Sequence, residues 1–216
     1  MDLKNRLLIG PLKTRETPRQ KRAQERVHKI LHAAADVLID TPTYEVSTTM
    51  IAAQAEIPVS SVYRYFPKLE DIFAELYMQS SVELEQRIFD LFEGSETNSG
   101  WRNRHRSVHD TFRGFRTEHP YYLALLQSQI SRTGPETVDL GKPMSITDFL
   151  AARWAKGGDG FRGGDPVIVS RIAMQTFLAI EGFLATQIDP SDADRYFDEL
   201  SLNLESYLAN YLSDDR

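Results

Sequence analysis

The spacing of apolar residues is the feature that most constrains this chain. From Val27 to Leu38 they recur every three or four positions, and the same spacing returns in most later segments. No long stretch alternates apolar and polar residues, as a half-buried β-strand would. Because a period of about 3.6 residues places apolar side chains on one face of an α-helix, the sequence predicts an all-α fold.

Prolines, glycines and polar clusters divide the chain into about nine predicted helices. The first is expected over 18–39, since residues 40–43 contain a proline, which disfavours helical backbone in the residue before it. Residues 157–164 hold five of the 12 glycines, which predicts a mobile loop, and 94–100 is a second predicted loop. The later helices are expected at about 48–55, 59–66, 68–92, 101–117, 119–132, 144–156, 166–188 and 192–212.

Composition excludes several classes of protein. Hydrophobic residues make up 41% of the chain and charged residues 26%, close to globular averages, which excludes collagen-like and wholly disordered chains. The chain has no cysteine, which excludes disulfides, thiolate metal sites and a cysteine nucleophile. The first 20 residues lack the apolar core of a signal peptide, and no uninterrupted apolar run reaches about 18 residues. We therefore expect a cytoplasmic protein that does not enter a membrane.

The net charge of -6 is unevenly distributed. Residues 1–70 contain 11 basic and 8 acidic side chains, whereas residues 71–216 contain 14 basic and 23 acidic ones. Within residues 1–29 the basic side chains number 9 and the acidic ones 3. We expect residues 1–17 to form a flexible basic arm, which is either a solvated tail or a segment attracted to phosphates.

Residues 47–66 have the plan of a helix-turn-helix. Ser47 can cap the first short helix, and Pro58 suits the start of the second because its missing N–H is not needed there. In such a motif the first helix crosses the sugar-phosphate backbone and the second enters the major groove. Val62 and Phe66, four residues apart, are expected to face inward against Ala52, Ala55 and Ile57, while Val59, Ser60, Ser61 and Arg64 face outward. Periodicity alone fits an ordinary pair of packed helices equally well.

The residue string STTMIAAQAEIPVSSVYRYFP, over 47–67, resembles the helix-turn-helix of TetR-family transcriptional regulators. The shared landmarks are a threonine-rich start, an Ile-Ala pair, Tyr-x-x-Phe on the recognition helix and a Phe-Pro step into the next helix. Two positions differ from the family pattern. Glu56 stands where the family has a turn glycine, and Leu69 stands where it often has a phosphate-binding lysine, with Lys68 one residue earlier. The resemblance covers about residues 20–80.

The resemblance implies a helix-turn-helix domain at 18–67 and a helical bundle at 68–216 for effector binding and dimerisation. The implied function is a ligand-responsive repressor that binds an inverted-repeat DNA operator as a homodimer. Pro58 would preset the recognition helix, although Tyr63 fits ordinary packing as well. By resemblance Thr48, Tyr63, Tyr65 and Lys68 would contact phosphates, and Thr49, Val59, Ser60, Ser61 and Arg64 would face bases.

The predicted helix at 166–188 indicates a partner subunit. Its only charged residues are Arg171 and Glu181, so it is apolar nearly all round and must be covered on two sides. The last helix carries an apolar stripe and could complete a four-helix bundle between two subunits. We expect the dimer interface to include Leu178, Phe183, Leu200, Leu204 and Tyr207.

Several aromatic residues of the second domain exceed what DNA recognition requires. They are either core residues or the lining of a cavity for an apolar or aromatic effector, with glutamines as polar groups. The acidic charge of the domain favours a cationic or neutral effector over a polyanion. The candidates are Phe112, Phe115, Tyr121, Tyr122 and Trp154, with Gln127, Gln129 and Gln175.

Competing chemistry has less support in the sequence. His105 and His109 are four apart, as a metal pair would be, but a third ligand is missing and arginines flank them, so we expect a solvated helix face, with no metal site and no cofactor. No nucleophile with a matched base is evident, and we expect no enzymatic activity. Two alternatives stay open at this point: a DNA-binding regulator without a ligand, and an all-α enzyme.

Overall fold

The computed structural model describes residues 18–93, 100–133, 146–187 and 192–213. Within these ranges the chain is helical and contains no strand, which confirms the all-α prediction. The basic arm at 1–17 and most of the predicted loop at 94–100 lie outside them. The helices are α1 (Pro18–Asp40), α2 (Thr48–Gln54), α3 (Val59–Tyr65), α4 (Leu69–Glu93), α5 (Trp101–Glu118), α6 (Tyr122–Thr133), α7 (Ile146–Ala155), α8 (Pro166–Gln187) and α9 (Ala193–Leu208), with a 3-10 turn at Gly158–Gly160.

The described residues form two compact units. The first contains residues 18–83 and 119–133, and therefore α1, α2, α3, α6 and the first part of α4. The second contains residues 84–118, 146–187 and 192–213, and therefore the rest of α4 together with α5, α7, α8 and α9.

In the first unit, α2 packs on α1 and on α3. Ile30 and Leu31 of α1 and Ile51 of α2 are completely buried, which gives the two short helices a common apolar support. The inward residues predicted from periodicity are confirmed, because each of them is at most 9% exposed: Ala52, Ala55, Ile57, Val62 and Phe66.

The turn between α2 and α3 is closed by backbone hydrogen bonds. Ser47 caps α2 as predicted, its hydroxyl accepting from the Met50 N–H at 3.3 Å. At the other end, the Glu56 N–H donates to the Ala53 carbonyl and the Ile57 N–H to the Ala52 carbonyl, both at 3.0 Å. This Schellman arrangement needs a left-handed residue after the helix, and Glu56 takes that place with φ 51°.

In the second unit, α8 packs on α7 and α9, and α5 packs on α9. Phe115 of α5 and Phe197 of α9 are completely buried. His105 and His109 direct their Nε2 atoms at the carbonyls of Ser201 (3.0 Å) and Phe197 (2.7 Å). The predicted solvated face is therefore wrong for His109, which is 8% exposed, because both imidazoles join α5 to α9. No group of three or more possible metal ligands occurs in the described ranges.

Residues 157–164 are not the loose loop that their glycine content predicts. Asp159 of the 3-10 turn is buried, and its carboxylate accepts hydrogen bonds from Arg153 Nε (2.9 Å) and Trp154 Nε1 (3.0 Å) and pairs with Arg104. Gly160 has φ 64°, and a Cβ there would overlap the carbonyl oxygen of Ser213. These glycines allow left-handed backbone conformations and the close approach of neighbouring backbone atoms.

The stretch Pro166–Leu184 of α8 is long and apolar enough to cross a membrane by length and composition, a test that the core helix of a soluble protein also passes. Only 22% of the stretch is buried inside its own chain. A large apolar surface of α8 is therefore uncovered in a single protomer.

Replacement of Glu56 by glycine should stabilise the protein. A left-handed conformation costs a residue with a side chain about 1 kcal/mol more than it costs glycine. Because Glu56 is exposed, its replacement removes no buried side-chain contact. We expect Glu56→Gly to raise the free energy of unfolding by up to about 1 kcal/mol in denaturant titrations. Glu56→Ala is the control, because it removes the charge and keeps the conformational cost. Equal gains from both variants would contradict the backbone explanation.

Candidate functional site

The helix α3 presents one apolar face inward and one mixed face to solvent. Val62 is completely buried, whereas Val59 is 38% and Tyr63 52% exposed. Ser60 and Arg64 are exposed as well, and Ser61 is half-buried. The outward residues are small or polar on the first turn, with one guanidinium on the last. A face of this kind can approach base edges in the major groove.

The other predicted DNA-contact residues differ in exposure. Thr49 and Pro58 are exposed, while Thr48 is only 8% exposed at the first position of α2. Tyr65 is half-buried. Lys68 is exposed and its backbone N–H donates to the Asp71 carboxylate at 3.2 Å, so the lysine charge stands immediately before α4.

The orientation of α2 is fixed by a polar contact as well as by its buried face. Gln54 Nε2 donates to Asp36 Oδ2 of α1 at 3.2 Å, and the same oxygen lies 3.3 Å from His32 Nδ1. In the loop before α2, Tyr44 is 83% exposed. Sequence reasoning did not single out Tyr44, because it lies before the motif and outside the helical period.

Exposed basic residues occur on α1 and near α3. The N-terminal half of α1 exposes four basic residues, and Arg64 and Lys68 add two more near α3. Exposed basic side chains attract the phosphates of any nucleic acid irrespective of sequence. The exposed basic residues of α1 are Lys21, Arg22, Arg26 and Lys29.

Residues 30–76 match the family model of bacterial regulatory proteins of the tetR family. This segment is similar to the N-terminal domain of tetR-family regulators. The match includes α2, the Glu56 turn and α3. Comparison with curated proteins finds no match.

Solved structures agree with the fold over most of the chain. A TetR-family transcriptional regulator from Streptomyces coelicolor is 25% identical, with a TM-score of 0.52, covering 87% of this chain and 99% of the other. A TetR-like transcriptional regulator from Rhodococcus sp. RHA1 is 21% identical, with a TM-score of 0.54, covering 90% and 99%. The multidrug binding protein EbrR, solved in complex with ethidium, is 19% identical, with a TM-score of 0.55, covering 83% and 98%.

The aromatic residues predicted to line an effector site are buried but belong to different units. Phe112, Phe115 and Trp154 lie in the second unit, whereas Tyr121 and Tyr122 lie in the first. Gln175 is exposed on α8, Gln127 is exposed on α6 and Gln129 is buried. Trp154 donates to Asp159, so its indole N–H already has a partner.

Phe112 belongs to an aromatic cluster at the junction of α5, α8 and α9. Its ring centroid lies 4.3 Å from that of Phe177 and 6.1 Å from that of Phe197, and Phe177 and Phe197 are 5.9 Å apart. His109 packs on Phe197 at 4.5 Å. Sequence reasoning named only Phe112 here, because Phe177 lies on the helix assigned to dimerisation and Phe197 on the stripe of α9.

Glu181 lies on the interior face of α8, one turn after Phe177. It is 2% exposed, and its Oε1 atom is buried without a hydrogen-bond partner. Burial raises the pKa of Glu181 to about 8, against the opposing effect of Arg116. Arg116 stacks over Phe197 at 4.4 Å and donates to Asp194 at 2.5 Å. The sequence showed that Glu181 lies in an apolar helix, but not whether its side chain faces the interior or solvent.

The opposite face of α8 is exposed and apolar. Leu178 and Phe183, both predicted at the dimer interface, are 40% and 41% exposed. Leu200 and Leu204 were predicted there too, but they are 3% and 8% exposed, because the stripe of α9 is buried within its own chain. Tyr207 is half-buried. Other exposed apolar residues of α8 and α9, which the prediction did not name, are Ile168, Ile172, Tyr196 and Leu202.

Glu181→Gln should change how stability depends on pH. The folded-state pKa of about 8 lies above the ordinary 4.5, so between these values the folded protein holds a proton that the unfolded chain has released. Each pH unit in this window should lower the free energy of unfolding of the unmodified protein by about 1.4 kcal/mol relative to the variant. Denaturant titrations of both proteins at equal concentration between about pH 5 and pH 8 measure this. A difference that is constant with pH would contradict a neutral, buried Glu181.

Proposed function

We propose that this chain is a ligand-responsive repressor of the TetR family that acts in the cytoplasm and binds an inverted-repeat operator as a homodimer. Residues 18–67 would read DNA, and residues 68–216 would form the dimer and bind the effector. The observation that carries the proposal is the pairing of an exposed recognition helix with an apolar face of α8 that its own chain leaves uncovered.

The proposed DNA contacts follow from exposure and chemistry. Arg64 has the fork of donors that guanine accepts in the major groove, and Ser60 and Ser61 can donate to or accept from several bases. Lys68 and Tyr63 carry exposed polar groups that suit phosphate oxygens. Thr49, Pro58, Val59 and Tyr65 complete the proposed surface, with Thr48 partly covered beside it.

Substitutions at Arg64 and Lys68 should have different effects on DNA binding. Arg64→Ala removes a base contact and should cost about 1–3 kcal/mol on the best operator while relaxing sequence preference. Lys68→Ala removes a phosphate contact and should weaken all sequences alike, with a smaller salt dependence. Lys156→Ala, at an exposed lysine after α7, is the control and should leave binding unchanged. Fluorescence anisotropy at several salt concentrations tests all three, and unchanged binding by both test variants would refute the assignment of α3.

The proposed dimer interface combines α8 and α9. Ile168, Ile172, Leu178 and Phe183 are exposed on α8, and Phe183 packs edge-on against Tyr196 of α9 at 5.8 Å between ring centroids. With Leu202, 61% exposed, they give an apolar surface that a second copy would cover by two-fold symmetry. Leu200 and Leu204 would support this surface from within.

Leu178→Asp should dissociate the dimer without unfolding the protomer. The side chain is 40% exposed in the single chain, so the new carboxylate is solvated in the monomer and buried only in the dimer. Sedimentation should show a dimer for the unmodified protein and a folded monomer for the variant. Val82→Asp, at a position of α4 that is 41% exposed, is the control and should stay dimeric. A stable monomer of the unmodified protein would contradict this interface.

The ligand response is proposed from the aromatic residues of the second unit. We propose that an apolar or aromatic small molecule binds among the helices of residues 68–216 and lowers operator affinity. The ethidium complex of EbrR concerns a protein that shares this fold. For this chain the support is its own aromatic cluster of Phe112, Phe177 and Phe197, together with the buried acid beside it.

A further inference from the structure

We propose that Arg171 of one protomer pairs with Glu199 of the partner subunit, and that the two symmetric ion pairs select a second copy of this chain as the partner. The inference rests on the dimer proposed above and adds to it the contact that decides which chains associate. An apolar surface alone attracts many apolar partners, whereas charges on that surface also repel the wrong ones.

The first argument is that Arg171 lies within an exposed, largely apolar face of α8. Exposed residues of α8 recur at intervals of three or four, at Ile168, Ile172, Gln175, Ala179 and Phe183. Arg171 is exposed three residues after Ile168 and four before Gln175, and residues at this spacing are neighbours on one helix face. A second copy that covers the face removes the guanidinium from water. An unpaired charge in such a place costs free energy, so the interface must supply an acid.

The second argument is that Arg171 and Glu199 lack ion-pair partners within the described part of their own chain. Arg171 is the only basic residue of α8. The other acids of α9 pair with arginines of α5, as Asp194–Arg116, Asp198–Arg113 and Glu205–Arg102. The acid of α9 that remains for a partner subunit is therefore Glu199.

The third argument is that the exposed face of α8 continues onto α9. Phe183 and Tyr196, both exposed, pack edge-on with 5.8 Å between their ring centroids. Glu199 is exposed three residues after Tyr196 and three before Leu202, so it belongs to the surface that these residues form. One positive and one negative charge therefore lie on the surface that the proposed dimer covers.

The fourth argument is that two-fold symmetry brings these charges together. The exposed face of α8 is centred near Gln175, and a two-fold axis perpendicular to α8 at this point covers the whole face with its own copy. Phe177 packs on Phe197 with 5.9 Å between ring centroids, so Glu199, slightly further along α9, lies level with the middle of α8. The partner's Glu199 then lies about one helical turn from Arg171, or about 6 Å along the helix, which an arginine side chain spans. The two Arg171 residues lie on opposite sides of the axis, about 12 Å apart along the helix.

Charge reversal in the full-length protein tests the pair by sedimentation equilibrium. Arg171→Glu and Glu199→Arg should each raise the dimer dissociation constant by about a hundredfold, because each dimer then holds two like-charge contacts. The double variant Arg171→Glu/Glu199→Arg restores both pairs with reversed polarity and should return the constant to within about threefold of the unmodified value. The controls Arg106→Glu and Asp110→Arg make the same charge changes at exposed residues of α5 and should leave it unchanged.

Mixing isotopically labelled unmodified protein with the double variant tests partner selection. A mixed dimer would place arginine against arginine at one site and glutamate against glutamate at the other. After subunit exchange, native mass spectrometry should therefore find far fewer mixed dimers than the roughly one half expected from random pairing.

Three results would each overturn the proposal: single variants that dimerise as tightly as the unmodified protein, a double variant no tighter than the single ones, or mixed dimers at the random share. If Leu178→Asp still dissociates the unmodified dimer in that case, the interface on α8 stands and only the ion pair is refuted. An unmodified protein that is monomeric would refute the pair and the proposed dimer together.

Discussion

Two helices of seven residues cannot keep their shape in water alone, because the first turn of a helix costs more than so few hydrogen bonds return. The helix-turn-helix therefore depends on burial against α1. Ile51 and Val62 are completely buried, and the contact from Gln54 to Asp36 fixes the orientation of α2. Once that support is in place, the outward residues of α3 are presented on a rigid face. The turn even tolerates Glu56 in a left-handed conformation, which shows how strongly the packing determines it.

The second unit is governed by the two-sided character of α8. One face joins the aromatic cluster with α5 and α9, and the other leaves Ile168, Ile172, Leu178 and Phe183 exposed. In the proposed dimer the same helix would therefore meet the partner on one side and the effector on the other. A ligand that shifted α8 from its interior face would act directly on the proposed subunit contact. This gives the proposed response a physical route through a single helix.

The sequence predicted local features well and tertiary ones poorly. The bounds of α2 and α3 differ by one residue from those predicted, because the cap at Ser47 and the prolines at 58 and 67 act locally. The glycines of 157–164 were misread as a mobile loop, since the approach of Ser213 to Gly160 involves residues far apart in sequence. The stripe of α9 was identified, but periodicity does not say whether its own chain or a partner buries it. Leu200 and Leu204, which were assigned to the interface from this stripe, are buried within their own chain, whereas Tyr196 and Leu202 are exposed.

The proposed function requires that the protein reads DNA as a two-fold dimer through α3. This can be tested by selecting binding sites from random duplexes with the full-length protein and footprinting the recovered site with hydroxyl radicals. We expect an inverted repeat occupied by two protomers, with two equivalent protected regions on one face of the duplex about one helical turn or slightly more apart. A recovered site without symmetry, a single protected region, or no recovered site at all would contradict it.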